Sequence, residues 1–185
     1  MVVGLPYDGV DVVESDPEWP GIAADLAACV SAALGDSAES VEHVGSTAVP
    51  GLAAKPIIDL AVELAARSDP DSVVASLTAI GLIYRGFRSE VGDWLFHARS
   101  NEGDCIAIVH VVPAGDPGMA AWLTVRDRLR ADPELRERYA RLKKELARRF
   151  PDDRPSYSRG KAEFIRRILS NRPERGNAHD TPDVS

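Results

Sequence analysis

Cysteine is scarce: two of 185 residues, Cys29 and Cys105, with no Cys-x-x-Cys pair. Two thiols cannot build a disulfide framework, and the ligand count excludes a zinc finger or zinc ribbon. Long apolar runs are missing as well; none approaches the ~18 residues of a membrane span. Met1–Val13 has no basic residue and carries Asp8 and Asp11, whereas a secretory signal needs a positive segment ahead of an apolar one. A cytoplasmic protein with no membrane association is the expectation. There is no GxxxxGK[ST] phosphate loop, no internal repeat, and no helix-turn-helix or RNA-binding signature.

What is present has the balance of a folded chain, with 44% hydrophobic and 28% charged residues. Such a composition supports a buried core and argues against wholesale disorder. One domain over residues 1–170 is expected, with the polar, aperiodic residues 171–185 as a disordered tail. The charge is unevenly spread. Residues 1–125 hold 5 Lys+Arg against 18 Asp+Glu, while residues 126–175 hold 17 against 9. The basic block is either a solvated helix face laced with i,i+4 pairs or a surface that holds an anion such as a triphosphate. Under the second reading Arg126, Arg130, Lys143 and Lys161 turn towards the Gly45-Ser46 segment described below.

Hydrophobic spacing outlines the elements. Asp16-Pro17-Glu18 reads as a helix start, followed by Trp19, Ile22, Leu26, Val30 and Leu34 at helical intervals, with Gly35 as the stop. Residues 40–44 read as a strand. Residues 56–64 alternate, with Ile58, Leu60, Val62 and Leu64 on one face and Ile57, Asp59, Ala61 and Glu63 on the other. A second helix opens at Asp69-Pro70. Strands follow near 82–88, 94–99 and 105–112, the last with Ile108 and His110 on one face. Helices are predicted over about 119–130, 133–149 and 156–170. The order implies an α+β fold: a mixed β-sheet flanked by helices, with a helical C-terminal part.

The chemistry concentrates in Glu42–Asp59. A strand ends in Gly45-Ser46, a loop punctuated by Pro50 and Gly51 follows, and the next strand presents Asp59. Glycine admits close backbone approach, and successive N–H groups with a hydroxyl can cradle phosphate oxygens. Lys55 adds a cation four residues before Asp59, and Asp59 beside such a nest is where a divalent ion would bridge protein and nucleotide. His43 either contributes to the site or hydrogen-bonds the loop.

The run from His43 to Asp59 resembles the signature of the GrpB family. Asp16-Pro17-x-Trp19-Pro20, His110-Val111-Val112-Pro113, Arg126-Asp127-x-Leu129-Arg130, Tyr139-x-x-Leu142-Lys143 and Tyr157-x-x-x-Lys161 with Phe164 extend the likeness over residues 14–169. That family is similar to the DNA-polymerase-beta-like nucleotidyltransferases and also occurs fused to dephospho-CoA kinases. The resemblance implies that Gly45 and Ser46 bind a triphosphate and that Asp59 is the first metal carboxylate. At the second carboxylate position stands Ala61, and Glu63 lies about 13 Å from Asp59 along the strand. At the third, strand 105–112 offers His110. Asp59 and His110 are thus the expected catalytic and metal residues, for one Mg²⁺, Mn²⁺ or Zn²⁺, with Lys55, Arg99 and Lys161 on the phosphates.

Two functions compete. One is an enzyme that binds a nucleoside triphosphate or other phosphorylated small molecule and transfers a nucleotidyl or phosphoryl group to a small acceptor. The other is a non-catalytic nucleotide- or CoA-binding partner module, or other group transfer on the same scaffold. Nucleic acid is a poor partner for the acidic first 125 residues. A homo-oligomer is compatible with the composition.

Overall fold

The computed structural model describes residues 3–6 and 9–170. Five strands form one sheet: β1 (Ala38–Val44), β2 (Ile58–Leu64), β3 (Ile83–Arg88), β4 (Asp93–Arg99) and β5 (Cys105–Val112). The helices are α1 (Trp19–Leu34), α2 (Pro70–Ala79), α3 (Pro117–Ala131), α4 (Pro133–Arg149) and α5 (Arg154–Ser170). The strand order is β1-β2-β5-β4-β3. Only the β2–β5 pair is parallel; the other pairs are antiparallel. This is the expected mixed sheet with a helical C-terminal part. The expected tail from residue 171 lies outside the described residues.

The period-2 alternation of β2 decides which layer each side chain joins. Ile58, Leu60, Val62 and Leu64 pack with Phe96, Val109 and Val111 beneath α1 and α2, where Trp19, Val30, Val73 and Leu77 are buried. The opposite face of β2 meets α3: Val44, Ala61 and Val112 pack against Met119, Trp122 and Leu123. α3, α4 and α5 join around Leu129, Tyr139 and Ile168, and the β1–β2 loop sends Val49 and Leu52 into that cluster. The segment between β1 and β2 is therefore clamped between the sheet and the C-terminal helices.

Helix starts follow the capping chemistry. Asp116 accepts from Gly118 N at 2.7 Å, and α3 begins at Pro117, two residues ahead of the expected start. Asp132 accepts from Leu135 N at 2.9 Å and opens α4 at the expected residue. Asp16 accepts from Glu18 N at 2.9 Å, which makes a turn before α1 and delays the helix to Trp19. Among the described residues no helix is long and apolar enough to cross a membrane.

Candidate functional site

The parallel register of β2 and β5 pairs Asp59 with Ile108 and Ala61 with His110. Paired residues point to the same side of the sheet, so Asp59 and His110 share the face that the alternation predicts. β4 adds Leu95 opposite His110 and His97 opposite Ile108. Together with Ser46, Thr47, Lys55, Arg88 and, from α5, Arg154, Tyr157, Ser158 and Lys161, they line a cavity of about 340 Å³. Asp59 is the one carboxylate among these lining residues.

The loop that enters the cavity is held at nearly every turn. Arg126 donates to Glu42 Oε2 at 2.8 Å and to the His43 carbonyl at 3.1 Å. Arg130 grips the Ala48 carbonyl through Nε at 2.9 Å and Nη2 at 2.8 Å. Lys143, 1% exposed, donates to the Ala53 carbonyl. His43 Nε2 lies 3.0 Å from Thr47 Oγ1, which places His43 in the loop's own hydrogen bonding. Val13 and Ala54 exchange two backbone hydrogen bonds of 2.9 Å. Arg130 and Lys143 of the basic block thus turn to this loop, as expected, but bind its carbonyls, and Arg126 holds the end of β1 that leads into it. The reason is that a buried loop must find partners for its backbone acceptors. Of the four residues, Lys161 alone lines the cavity.

Two further expectations change. Gly45 does not line the cavity; at φ 71° it leaves room for Asp59, and a Cβ there would lie 2.5 Å from Asp59 Oδ2. Arg99 is exposed at the end of β4, beyond a register shift between Ala98 and Arg99, and is not a cavity wall.

The cations that do reach the cavity perturb one another. Burial, with Arg154 and Lys161 nearby, pulls Lys55 down to about 7. Burial brings Lys161 down to about 8, with Asp59 opposing and Arg154 assisting. Both ammonium groups approach the Tyr157 ring, at 5.6 Å and 4.5 Å from its centroid. Burial, and then the charge of Arg154, lowers His97 to about 4, so it stands neutral. The cavity combines several basic groups with one acid, the arrangement that favours an anionic guest.

Sequence reasoning missed Asp93 and Arg88. Asp93 is fully buried, and its Oδ2 lies 2.7 Å from His110 Nδ1. Arg88 donates to the other oxygen from Nε at 2.8 Å. Burial pushes the Asp93 carboxyl up, yet the hydrogen bonds from His110 and Arg88 outweigh it and hold it below the ordinary range. Arg88 Nη2 also lies 3.0 Å from His110 Nδ1; Arg88 only donates and Asp93 only accepts, and the shorter contact is with Asp93, so the Nδ1–H form satisfies the buried carboxylate and leaves Nε2 for the cavity. Asp93 lies one residue ahead of the strand expected at 94–99, and Leu95 interrupts the polar series that it forms with His97 and Arg99.

A metal centre of the kind the fold suggests needs carboxylates that hold two ions about 3.5–4 Å apart. Ala61 stands at the second position, fully buried under Met119 and Trp122. Glu63 accepts from Gly115 N at 2.8 Å and is committed to that loop. Asp93 is committed to Arg88 and His110. Among the described residues no group of three or more His, Cys, Asp or Glu side chains is placed to hold an ion. The donor set does not fit a two-ion centre.

The GrpB protein family matches residues 9–171. The chain belongs to this family. A UPF0157 protein of Halalkalibacterium halodurans is 37% identical over 138 residues, covering 75% of this chain and 69% of that protein. A dephospho-CoA kinase of Mycolicibacterium paratuberculosis is 33% identical over 164 residues, which take in 76% of this GrpB chain but 40% of the kinase. The crystal structure of GrpB from Enterococcus faecalis superposes with a TM-score of 0.78 at 30% identity, covering 87% of this chain and 96% of that one. The Cid1 poly(U) polymerase with Mg 3'-dATP gives 0.56 at 17% identity, covering 80% of this chain and 49% of the polymerase. This GrpB chain therefore has a nucleotidyltransferase-like fold and spans about half of the polymerase.

Proposed function

We propose that the cavity binds the phosphates of a nucleotide or related phosphorylated small molecule and supports transfer of a phosphoryl or nucleotidyl group to a small acceptor. The observation that carries this reading is the convergence of Lys55, Lys161 and Arg154 with the Ser46 hydroxyl beside a single carboxylate. Phosphoryl transfer is catalysed chiefly by positioning and charge neutralisation, and these side chains supply both. His110 Nε2 takes the proton of the acceptor hydroxyl as its oxygen bonds to phosphorus. The bond from phosphorus to the leaving oxygen breaks, and the departing anion is neutralised by Lys161 and Arg154. Asp93 positions the imidazole and stabilises it when it is charged.

Titration calorimetry with ATP and with inorganic triphosphate tests the binding. Wild type should bind both, and Lys55→Met with Lys161→Met should weaken them at least tenfold. Unchanged affinity in the double variant overturns the reading. The burial of Ala61 under α3 favours a second reading, a binding module without transfer. Relatives named dephospho-CoA kinase make a CoA-type phosphate a ligand to include. Tight binding with no new phosphorus species by ³¹P NMR would select the module.

A further inference from the structure

A second cavity, of about 390 Å³, runs along α5 and shares two walls, Ser158 and Lys161, with the first. Tyr139 stands at the junction: it lines this groove and interacts with Ser46 of the phosphate cavity. Beyond the junction the walls are Ala162, Ile165 and the exposed Leu169, with Arg166 beside them paired to Glu163 of the same helix. Positions 158, 161/162, 165/166 and 169 recur at helical spacing, so they form one stripe about 16 Å long at ~1.5 Å per residue. A stripe of that length along a helix suits an extended chain better than a compact ring.

We infer that the groove on α5 seats an extended, apolar arm of the same ligand whose phosphate lies against Lys55 and Lys161. The ligand class is a phosphate ester with a long, largely methylene or amide-linked arm. The arm leaves the phosphate cavity past Lys161 and lies over Ala162 and Ile165 towards Leu169. This inference rests on the phosphate reading of the first cavity, and the test separates the two.

The probes are inorganic phosphate and a series of n-alkyl phosphates from methyl to octyl, titrated calorimetrically into the full chain below their aggregation concentrations. Affinity should rise about two- to fourfold per methylene, as expected for apolar surface leaving water. Ala162→Glu should abolish the rise while leaving inorganic phosphate affinity unchanged. Leu169→Glu, at the far end, should weaken only the longest members. A pantetheine phosphate probe should match the longer alkyl members if the natural arm is amide-linked, and fall short of them if it is an acyl chain. If phosphate binds but the affinity does not rise with chain length, or the rise survives in Ala162→Glu, the groove assignment is overturned. If neither phosphate nor any ester binds wild type, the phosphate reading itself fails and the groove assignment with it.

Discussion

Gly45 and Asp59 meet so closely at the ends of β1 and β2 that a methyl group on Gly45 would sit 2.5 Å from Asp59 Oδ2 and 3.0 Å from its Cβ. The glycine also has φ 71°, where an L side chain is strained by about 1–2 kcal/mol. Gly45→Ala should therefore destabilise the fold by about 2 kcal/mol or more in urea denaturation. Asp59→Ala in the same chain should return part of that loss, because the oxygen that meets the methyl group is gone. Residues in contact couple by about 0.5–3 kcal/mol. Strict additivity of the two changes would show that Gly45 does not serve to accommodate Asp59.

The carboxylate itself gives a test whose sign is informative. Asp59 is one acid among several bases in the cavity. If phosphate is held by cations alone, Asp59 repels it, and Asp59→Asn should raise affinity for inorganic triphosphate several-fold while leaving the fold intact. The affinity should also persist in EDTA. If an ion bridges Asp59 and the ligand, the variant should instead bind more weakly, and chelation should mimic it. The positions of Ala61, Glu63 and Asp93 support the first outcome, and calorimetry with and without Mg²⁺, Mn²⁺ and Zn²⁺ decides.

Much of this arrangement is legible in the sequence, and the reason is periodicity. β2 and β5 alternate cleanly, so the shared face of Asp59 and His110 follows once they are neighbours, and the order β1-β2-β5 makes them so. α4 is read to the residue because Asp132-Pro133 is a strong start. Asp93, Arg88 and His97 are not legible. Arg88 and Asp93 face each other across the β3–β4 hairpin, but Asp93 lies one residue ahead of the strand expected at 94–99, and Leu95 interrupts the polar series of Asp93, His97 and Arg99 that alternates with Trp94, Phe96 and Ala98. The fate of the basic block is half legible: its charge is obvious, but whether a cation meets a ligand or a loop carbonyl depends on tertiary packing.

The lysines of the cavity predict a pH dependence. Lys55 is lowered from 10.5 to about 7 and Lys161 to about 8, both chiefly by burial. Above those values the unfolded chain binds protons that the folded chain does not, so stability rises with pH. The thermal midpoint of the free protein should increase between about pH 7 and 8.5. Cys105, Tyr139 and Tyr157 are held protonated by burial and act in the opposite sense, but at higher pH. Triphosphate affinity should fall over the same window as the ammonium groups lose their charge. Lys55→Met should flatten both trends; a midpoint that falls between these pH values in wild type would contradict the assignment.

Arg130 reports on the loop. Its Nε and Nη2 both donate to the carbonyl of Ala48, a residue 3% exposed. Arg130→Met keeps the aliphatic stem and leaves that carbonyl without its donor, a cost of about 1–3 kcal/mol for a buried acceptor. Hydrogen exchange of the amides of residues 46–54 should accelerate, while β2 and β5 stay protected. Phosphate affinity should drop with the loop, because Ser46 is carried on it. Unchanged exchange in the loop would mean that the packing of Val49 and Leu52 and the bonds at Ala53 and Ala54 hold it without Arg130.

The last prediction concerns the imidazole. Asp93 is buried, 2.7 Å from His110 Nδ1 and paired with Arg88, whose Nη2 lies 3.0 Å from the same nitrogen, and the shorter contact with the acceptor favours a proton on Nδ1. ¹⁵N NMR of the neutral His110 ring should show Nδ1–H and a bare Nε2, the form able to take a proton from a hydroxyl in the cavity. Asp93→Asn preserves the shape but removes the charge and one acceptor, leaving Arg88 and His110 to compete for a single carbonyl oxygen. The His110 signal should shift towards mixed tautomers, and any transferase turnover should fall by tenfold or more with ligand affinity little changed. Loss of a buried ion-pair partner costs stability by about 3–5 kcal/mol, so the NMR comparison is made well below the unfolding midpoint. Should wild type show Nε2–H, the imidazole cannot accept the proton, and transfer would have to rely on Lys55 in its neutral form.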